Sequence, residues 1–430
     1  MENIYHAFLN STGVCTDTRK ILQGSIFFAL KGPSFNANTF ALKALELGAS
    51  FTVIDEEIGY ESERIFKVND VLTALQQLAT YHRNKFSIPV IGLTGSNGKT
   101  TTKELIAAVL KSTNNVLFTE GNLNNHIGVP LTLLQLKKHH NIAVIEMGAN
   151  HQGEISLLCN IANPTHGLIT NVGKAHLEGF GGFEGVIKGK TELYNYLKKN
   201  NGTIFCNSNN PFLKPLCKDY SSVIYYGNDK NAIVDGHVAN STPYLSVEWK
   251  SNECSNIYKT ETKLTGEYNL ENVLSAIAVG MFFSVDASLI DKSIEGYTPS
   301  NQRSQIVKKN SNTIILDAYN ANPTSMSAAL KNLEENYTGK KIIILGEMLE
   351  LGNESLHEHK NILSQINFIE KENLILVGNL FLQADEKNTG THFSDSDKAK
   401  EFIRSKNITN STILIKGSRG SKMERVFDAF

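Results

Sequence analysis

Short apolar runs and helical patterns alternate along the chain, and they fall into three blocks. In the first block, residues 1–86, apolar runs at 25–30 and 49–54 enclose a helical pattern at 41–47, and a second helical pattern covers 71–85. Apolar runs of this length are typical of buried strands, whereas apolar positions three and four residues apart indicate helices. We therefore predict a small α/β unit here.

The second block, residues 87–298, opens on an apolar run at 88–94 that leads into a glycine-rich turn and a helical pattern at 101–111. Further apolar runs follow at 142–145 and 167–171. This strand–helix alternation predicts a mostly parallel, doubly wound sheet. The stretch 202–264 is rich in strand and turn patterns, with strands predicted at 222–226 and 244–249 and a helix afterwards at 270–283.

The third block, residues 299–430, alternates again and predicts a second, smaller α/β domain with its own core. Its predicted elements are strands at 313–316, 341–345, 374–377 and 412–415 and helices at 323–336 and 355–369. The whole chain is therefore predicted to be an α/β protein of three domains.

The charge balance and the length of the apolar runs argue against some classes of function. The chain has 430 residues, with 42 basic and 43 acidic side chains and a formal net charge of −1. Nucleic-acid binding rests on a field of Lys and Arg, so this balance argues against a nucleic acid as main partner. No apolar run approaches the ~20 residues that span a bilayer, and the N-terminus is unlike a leader peptide. We expect a cytoplasmic protein without a membrane span.

The cysteines predict neither a disulfide framework nor a zinc site. There are five, an odd number, and no C-x-x-C pair occurs. We expect small buried or half-buried thiols at Cys15, Cys159, Cys206, Cys217 and Cys254.

The clearest chemical motif reads Thr-Gly-Ser-Asn-Gly-Lys-Thr-Thr-Thr at 94–102, between a predicted strand and a predicted helix. Glycines let backbone N–H groups approach phosphate oxygens, and a helix start favours anions. A capped glycine turn would also fit, and Leu93 replaces the first glycine of the common G-x-x-x-x-G-K-[ST] pattern. The order of elements nevertheless favours a phosphate-binding loop. Its expected members are Gly95, Ser96, Asn97, Gly98, Lys99, Thr100 and Thr101.

A phosphate site of this kind also predicts a metal. Lys99 is expected to reach the β- and γ-phosphates, and the Thr100 hydroxyl is expected to bind Mg²⁺. Glu146 follows the apolar run at 142–145 and supplies a carboxylate, and His176 follows the next run. Taken singly, Glu146 reads as a surface carboxylate and His176 as a loop or half-buried residue. Together with the loop they predict a Mg²⁺ shell.

A set of motifs in fixed order gives the chain a resemblance to a known family. They include Glu-Gly-Asn-Leu-Asn-Asn-His-Ile-Gly-Val-Pro at 120–130 and Asp-Ala-Tyr-Asn-Ala-Asn-Pro at 317–323. The other motifs lie at 94–104, 146–150, 170–178, 188–190, 266–272 and 416–418. With these motifs the sequence resembles the Mur ligases, the ATP-dependent amide-forming enzymes of peptidoglycan synthesis. That family also has Leu in place of the first loop glycine.

The resemblance implies a fold and a reaction. The fold would comprise a UDP-sugar-peptide-binding domain (1–86), a central P-loop ATPase (87–298) and a C-terminal Rossmann-like ligase domain (299–430). The motif at 317–323 fits the dipeptide-adding branch, which implies joining D-alanyl-D-alanine to UDP-N-acetylmuramoyl-tripeptide through an acyl phosphate. The product would be the pentapeptide precursor of peptidoglycan, and the protein is expected to be a monomer. The third residue of the peptide, lysine or meso-diaminopimelate, stays open.

Other readings remain possible at this point. The most similar alternative function is that of a Mur ligase that adds the third amino acid of the peptide. The Asp-Asn-Pro-Arg motif, which is usual in members that add diaminopimelate, is however absent from this sequence. Folylpolyglutamate synthase shares the ATPase core but lacks the Asn-Leu-Asn-Asn motif in this form. A P-loop ATPase switch that hydrolyses without ligation belongs to a different class.

The resemblance also implies catalytic and metal-binding roles. Lys99 would act on the phosphates, Thr100 and Glu146 would hold one Mg²⁺, and His176 would hold a second. Lys190 matches a family lysine that is modified to a carbamate and serves the second metal. From the sequence alone, Lys190 would be a solvated helix lysine.

ATP binding is implied for residues of the second and third blocks. Asn272 would pair with adenine, whereas Asn269 reads equally as a ligand or a helix N-cap. Arg303 would reach the phosphates, the alternative being a surface salt bridge. Asp317 follows a predicted strand where α/β folds place ribose-binding carboxylates, and Tyr319 and Asn320 would lie beside it.

The resemblance implies that a third set of residues binds the UDP-linked substrate. Residues 15–19 resemble part of a uridine-diphosphate site, and the Asn pair at 124–125 with His126 resembles a sugar–peptide channel. Asn pairs are also common turn formers, and His126 would also fit a core position. The substrate-binding residues implied are Thr16, Asp17, Thr18, Arg19, Asn124, Asn125, His126, Lys416 and Ser418.

Overall fold

The computed structural model describes residues 1–229, 231–252, 256–299 and 303–430, and within them three large β-sheets each carry packed helices. The protein is a multi-domain α/β fold, as predicted. The predicted domain boundaries stay a prediction. Of the cysteines, Cys15 is half-buried and Cys159, Cys206 and Cys217 are buried, all as free thiols, while Cys254 lies outside the described residues.

The N-terminal sheet has the order β1-β2-β5-β6, with every pair parallel, and a small antiparallel pair, β3 and β4, lies beside it. Its strands are β1 (Val14–Cys15), β2 (Ile26–Phe28), β3 (Lys31–Gly32), β4 (Phe35–Asn36), β5 (Phe51–Ile54) and β6 (Ile65–Lys67). Its helices are α1 (Glu2–Leu9), α2 (Ala41–Glu46) and α3 (Val71–Arg83). Asp70 caps α3 by accepting a 2.6 Å hydrogen bond from Thr73 N.

The central sheet has the order β15-β14-β13-β12-β11-β10-β7-β9-β8. Its strands are β7 (Val90–Thr94), β8 (Val116–Phe118), β9 (Ile142–Glu146), β10 (His166–Ile169), β11 (Thr203–Asn207), β12 (Val223–Tyr226), β13 (Val234–Asn240), β14 (Ser246–Ser251) and β15 (Ile257–Glu261). Its helices are α4 (Lys99–Lys111), α5 (Gly128–Leu133), α6 (Glu154–Ala162), α7 (Leu177–Phe180), α8 (Phe183–Lys199), α9 (Leu213–Leu216), α10 (Leu270–Phe282) and α11 (Ala287–Gly296). The strand-rich stretch at 202–264 thus extends this sheet, first in parallel and then as an antiparallel edge.

The C-terminal sheet has the order β16-β17-β21-β18-β19-β20, and only the β16–β17 pair is antiparallel among its described strands. Its strands are β16 (Gln305–Lys309), β17 (Asn312–Asp317), β18 (Lys340–Gly346), β19 (Leu374–Val377), β20 (Thr391–Phe393) and β21 (Ser411–Lys416). Its helices are α12 (Pro323–Asn336), α13 (Ser355–Ser364), α14 (Asn379–Ala384), α15 (Ser396–Ser405) and α16 (Glu424–Phe427). The prediction of one helix over 355–369 was too long, since α13 ends at Ser364.

Short 3-10 turns connect some of these elements, at Thr18–Lys20, Ala37–Phe40, Glu267–Asn269, Gly352–Glu354, Lys371–Asn373 and Arg419–Ser421. None of the described helices is long and apolar enough to cross a bilayer.

The N-terminal sheet is tied to the central sheet by a buried arginine and a shared core. Arg83, at the end of α3, is 3% exposed and donates to the carbonyls of Phe86, Ile88, Ala162 and Asn163 at 2.6–3.4 Å. A hydrophobic core also runs from the N-terminal helices and sheet onto one face of the central sheet, and it continues to buried residues of the C-terminal part such as Leu330 and Ile343. Because a buried guanidinium needs such partners, this junction holds α3 firmly in place.

The order of the central strands positions the candidate site. From β7 the chain passes to β8 and β9 on one side and then to β10 on the other. The loop after β7 therefore lies at a topological switch point, where ligands bind in α/β sheets. In register, Leu93 pairs with Glu146 and Thr94 with Ile169, so the ends of three strands meet at one edge.

Candidate active site

The loop between β7 and α4 has a backbone that only glycine fits at two positions. Gly95 has φ +148° and Gly98 has φ +78°, both in the region that L side chains rarely adopt. A Cβ at Gly95 would lie 2.0 Å from Thr170 Oγ1, and one at Gly98 would lie 2.5 Å from Asn272 Oδ1. The loop backbone therefore lies close to Thr170 and Asn272. It ends at the first N–H groups of α4, which have no hydrogen-bond partner within the helix.

The segment after β10 holds this loop. Ser96 N donates to Asn171 O and Asn97 N to Asn171 Oδ1, both at 3.0 Å. Thr170 Oγ1 donates to Asn97 O at 2.6 Å. With these bonds the loop is pre-organised before any ligand arrives, which lowers the cost of binding an anion.

Lys99 folds back over the same loop. Its Nζ donates to Gly95 O at 2.7 Å and to Ser96 O at 3.2 Å. Burial lowers the pKa of Lys99 to about 8, an effect that Glu146 opposes and Arg303 reinforces. The side chain thus offers a poorly solvated positive charge at the loop.

Glu146 lies at the floor of the site, next to the start of α4. Thr100 Oγ1 donates to Glu146 Oε2 at 3.1 Å, and Asn124 Nδ2 donates to Glu146 Oε1 at 2.8 Å. The carboxylate is 1% exposed, so the surface reading of Glu146 is wrong. Hydroxyl, amide and carboxylate oxygens are hard donors of the kind Mg²⁺ prefers. The described residues contain no group of three His, Cys, Asp or Glu arranged for a metal.

Lys190 lies on α8 and is fully buried, so the alternative of a solvated lysine is wrong. Its Nζ donates to Ala149 O at 3.1 Å and stands 4.9 Å from the centre of the Phe180 ring. Burial, with a smaller contribution from Lys99, moves the pKa of Lys190 well below its usual range. The sequence carried a signal for this burial. Lys190 falls at helical spacing on the buried stripe formed by Val186, Leu193 and Leu197.

His176 precedes α7 in a left-handed conformation, with φ +52°. Its Nδ1 lies 2.5 Å from Glu350 Oε2, and this contact holds the pKa of Glu350 below its usual value. Glu350 follows β18, so this pair links the central and C-terminal sheets. The sequence analysis did not find Glu350.

Asn269 and Asn272 form a chain of amide hydrogen bonds beside the phosphate loop. Thr102 Oγ1 donates to Asn272 Oδ1 at 2.9 Å, Asn272 Nδ2 to Asn269 Oδ1 at 2.8 Å, and Asn269 Nδ2 to Thr265 O at 2.8 Å. Asn269 occupies the N-cap position of α10, but its side chain makes no capping hydrogen bond and is bonded within this amide chain instead. This series of hydrogen bonds holds Asn272 against Gly98 and against Thr102 of α4.

A charged cluster from the C-terminal sheet faces the loop. Arg303 is half-buried, stacks on Tyr319 at 3.8 Å from the ring centre, and forms no ion pair with any described residue, so the surface salt-bridge alternative is wrong. Its buried Nε has no hydrogen-bond partner among the described residues. Asp317, at the end of β17, pairs with Lys416 and accepts from Ser304 N at 3.2 Å. An unpartnered guanidinium N–H beside this loop is what an anionic ligand would satisfy.

Further polar contacts join the C-terminal part to the loop region. Asn322 Nδ2 donates to Asn97 Oδ1 at 2.7 Å, and Lys174 Nζ lies 2.6 Å from Glu358 Oε1. Asn322 also caps α12 through a reciprocal bond with Ser325. The sequence predicted the helix that begins at Pro323 but not the contact of Asn322 with the phosphate loop.

These groups surround one cavity of about 890 Å³. Of the predicted site residues in the described ranges, all line it except Gly95, Lys190, Ser418 and residues 16–19. His126 is exposed on its wall, so the core alternative for that residue is wrong. Asn125 Oδ1 accepts from Ile127 N and Gly128 N, which makes it a turn former as well. The lining that the sequence analysis missed includes Asn150, Glu154, Asn209, Val238, Leu274 and Asn322.

The predicted substrate residues outside the cavity have other neighbours. Asp17 accepts from Arg19 N at 3.0 Å and pairs with the Arg19 guanidinium at 2.7 Å, and that guanidinium lowers the pKa of Asp17 to about 2. Both residues lie at the 3-10 turn Thr18–Lys20, between β1 and β2 of the N-terminal sheet. Ser418 Oγ accepts from Leu349 N at 2.9 Å and stabilises the loop after β21.

Comparisons with known proteins agree over nearly the whole chain. Residues 93–280 match the family model of the Mur ligase middle domain, and residues 302–419 match that of the Mur ligase glutamate ligase domain. The chain is 35% identical over 427 residues to the UDP-N-acetylmuramoyl-tripeptide–D-alanyl-D-alanine ligase of Bacillus subtilis, which covers 96% of this chain and 92% of that one. It is also 35% identical to the Escherichia coli enzyme of the same name, over 97% and 93% of the two chains.

Solved structures give the same result. The crystal structure of MurF from Acinetobacter baumannii superposes with a TM-score of 0.88 at 29% identity and covers 99% of this chain and 97% of that one. The MurF ligase of Thermotoga maritima in complex with ADP superposes with a TM-score of 0.87 at 26% identity, over 98% and 97%. Sequence motifs, sheet order and these full-length similarities agree, and the chain belongs to the Mur ligase family.

Proposed function

We propose that this protein is an ATP-dependent ligase that joins D-alanyl-D-alanine to UDP-N-acetylmuramoyl-tripeptide, giving the pentapeptide precursor of peptidoglycan. The observation that carries the proposal is the cavity of about 890 Å³ that is lined by Lys99, by the Thr100–Glu146 pair and by Arg303. Full-length similarity to enzymes of that name supports the choice of substrates.

The chemistry follows from the weakness of a carboxylate as an electrophile. A tripeptide carboxylate oxygen attacks the γ-phosphorus of ATP, the bond to the β-phosphate oxygen breaks, and ADP leaves. The amine then attacks the acyl phosphate carbon, loses a proton, and expels inorganic phosphate from the tetrahedral intermediate. Both first reactants are anionic, so positive groups must lie between them, and we assign that role to Lys99 and Arg303.

A divalent metal fits the donors at the floor of the cavity. Thr100 and Glu146 would hold one Mg²⁺ with nucleotide oxygens and water, and Asn124 would orient the carboxylate. His176 and a carbamylated Lys190 would serve a second. Mg²⁺ supplies charge neutralisation for the phosphoryl oxygens.

The carbamate assignment for Lys190 has a physical basis in its surroundings. An amine reacts with CO₂ only when it is neutral, and burial among the side chains of α7 and α8 favours the neutral form. The nitrogen forms a bond to the carbon of CO₂ and loses a proton, which leaves an anionic group with two oxygens. Such a group is a hard ligand, unlike the ammonium that it replaces.

The remaining assignments complete the proposal. Asp317 would bind the ribose, with Tyr319 and Asn320 beside it. Asn269 and Asn272 would serve the adenine end, through the amide chain that also supports the loop. The UDP-linked substrate would bind the N-terminal sheet at residues 16–19 and enter past Asn124, Asn125 and His126 toward Lys416 and Ser418. We also propose the three domains 1–86, 87–298 and 299–430, a monomeric cytoplasmic enzyme, and a role in cell shape and division.

Product formation tests the function. With ATP, Mg²⁺, UDP-N-acetylmuramoyl-tripeptide and D-alanyl-D-alanine, we expect phosphate release only when all are present, and mass spectrometry should show the pentapeptide product. Replacing the dipeptide with lysine or diaminopimelate, on UDP-N-acetylmuramoyl-dipeptide, tests the third-residue alternative. Hydrolysis of ATP without either co-substrate would instead support an ATPase switch and contradict the proposal.

Glu146→Gln is expected to raise the Mg²⁺ concentration for half-maximal rate about tenfold or more, because the amide keeps the shape but loses the charge that binds the metal. Titrating Mg²⁺ at saturating substrates measures this. Glu120→Gln is a matched control, since Glu120 is exposed before the Asn-rich loop and should leave the titration unchanged. An unaltered Mg²⁺ requirement in Glu146→Gln would remove Glu146 from the metal site.

A further inference from the structure

The carboxylate of Glu146 is carried by a strand end whose hydrogen bonding departs from a regular parallel ladder. Strands β8 and β9 are parallel, with Phe118 opposite Val144, and Thr119 N donates to Val144 O at 3.0 Å. The next bond of a regular ladder would run from Glu146 N to Thr119 O. Instead, Glu146 N donates to the side-chain oxygen Thr119 Oγ1 at 3.0 Å. The Thr119 side chain thus holds the main chain at Glu146.

A lysine of the phosphate-binding helix takes the carbonyl that the ladder leaves free. Lys103 Nζ donates to Thr119 O at 2.8 Å and lies 3.5 Å from Glu104 Oε1. Lys103 and Thr119 are both fully buried, so these bonds are shielded from solvent. Glu104 is half-buried and also accepts a 2.7 Å hydrogen bond from Tyr297 OH. The lysine therefore decides which oxygen of Thr119 is open to Glu146.

The same helix carries the other half of the proposed metal site. Thr100 Oγ1 donates to Glu146 Oε2 at 3.1 Å, and Lys103 follows Thr100 by three residues on α4. The helix thus contacts the end of β9 at the carboxylate and, about one turn further on, through the hydroxyl that holds the main chain of the same residue. Two contacts from one rigid helix fix the hydroxyl and the carboxylate relative to each other.

The stability of the fold does not by itself explain an ammonium at this position. Replacing a buried ion pair by apolar side chains of similar volume is often neutral or stabilising, because burial removes the hydration of both charges. The neighbours of Lys103 include the Phe118 ring, whose centre lies 5.7 Å from Nζ, so an apolar side chain of the same length would fit there. What distinguishes the lysine is the bond from its Nζ to the Thr119 carbonyl.

We propose that Lys103 and Thr119 are positioning residues that place the Glu146 carboxylate for the metal. This inference rests on the proposed function, in which Glu146 binds Mg²⁺. Without the Thr119 hydroxyl, Glu146 N loses its acceptor or turns to the Thr119 carbonyl, and both changes move the strand end. Without the lysine, that carbonyl is free to compete with the hydroxyl for Glu146 N. Loss of either side chain therefore displaces the carboxylate relative to Thr100.

The test measures how much Mg²⁺ improves nucleotide binding, which requires no turnover. Calorimetry gives the affinity for β,γ-imido-ATP with saturating Mg²⁺ and with EDTA, and the ratio of the two is the gain from the metal. We expect Thr119→Val, which keeps the shape but lacks the hydroxyl, to reduce this gain about tenfold. The affinity in EDTA should stay close to the wild-type value. Thr119→Ser keeps the hydroxyl and should restore the gain.

Lys103→Met tests the other positioning residue. We expect it to reduce the gain about threefold, because the hydroxyl is still present, while the protein unfolds near the wild-type temperature. In the double variant the regular ladder bond can form, so the loss should be no larger than that of Thr119→Val alone. Additive losses would contradict the proposed action of Lys103 through Thr119.

Thr262→Val is the matched control. Thr262 is buried, and its hydroxyl likewise accepts from a main-chain N–H, that of Leu264 at 3.1 Å, but neither residue lines the cavity. This variant should keep the full gain from Mg²⁺ even where it unfolds at a lower temperature.

An unchanged gain in Thr119→Val, or a loss that Thr119→Ser does not restore, would overturn the inference, while product formation by the wild-type protein still upholds the proposed function. If Thr119→Val does not fold, Lys103→Met decides alone, and an unchanged gain in that variant overturns the inference. Absence of both a Mg²⁺-dependent gain and a dipeptide-dependent product in the wild-type protein would overturn both.

Discussion

Lys99→Ala should lower kcat about 10³-fold, the size of effect seen when a preorganised cation is removed from a phosphoryl-transfer site. Lys99 Nζ donates to the carbonyls of Gly95 and Ser96, and the next residue, Thr100, donates to Glu146. Lys99 Nζ is thus already placed where phosphate oxygens would arrive. Steady-state phosphate release with all three substrates measures the loss, and far-UV circular dichroism checks that the variant folds.

From the lowered pKa of Lys99 we predict that the affinity for ATP depends on pH. The pKa of Lys99 is lowered to about 8 because the ammonium is buried, so its positive charge is lost as the pH rises through about 8. ATP binds better to the charged form, and its affinity should therefore fall about tenfold per pH unit above that point. The Lys99→Ala variant should bind ATP weakly and without this slope.

The control for both measurements lies on the same helix. Lys111 ends α4, is exposed, and stands over the Phe118 ring, far from the loop. Lys111→Ala should keep the wild-type kcat and the wild-type pH profile. A Lys99→Ala variant with normal turnover, or with the same slope above pH 8, would contradict the assignment.

The second large effect is expected at Lys190. We expect Lys190→Ala to lower kcat about 10²–10³-fold and added acetate or formate to restore part of it, because a small carboxylate can occupy the place of the carbamate. Wild-type protein equilibrated with ¹³C-labelled CO₂ should show a carbamate carbon signal that is missing from the variant. That signal reports the modification independently of turnover.

Two further variants separate chemistry from packing. Lys190→Met fills most of the buried volume without a reactive nitrogen, so it should be as inactive as the alanine variant while unfolding near the wild-type temperature. Lys188→Ala removes an exposed lysine two residues away on α8 and should remain fully active, with no response to acetate. Full activity of Lys190→Ala without added acid would reject the carbamate.

The parts of the site that follow one another along the chain could be predicted from the sequence. The strand, the glycine turn and the Lys-Thr start of a helix form a local pattern, and the carboxylate after β9 follows from parallel strands that end at one edge. The helix beginning at Pro323 was also predicted to the residue, since its cap and its apolar spacing agree.

Contacts between distant segments could not be predicted in this way. Nothing local to Asn97 or Asn322 indicates that their side chains meet, because that contact depends on how the C-terminal sheet packs over the loop. The same holds for Lys174 with Glu358. Lys190 is an intermediate case. Its helical spacing with Val186 and Leu193 indicates a buried position. Lysine side chains are usually solvated, however, and this general preference indicates the opposite.

The junction at Arg83 has a consequence for motion. Sliding the N-terminal sheet off the central one would remove the carbonyls of Ala162 and Asn163 from a buried guanidinium, and water cannot replace these hydrogen bonds until the junction is open. The polar contacts between the loop and the C-terminal part are side-chain pairs such as Asn97 with Asn322, which solvent can replace one at a time. Nucleotide exchange should therefore proceed by a swing of the C-terminal part alone, with the first two parts turning as one rigid body.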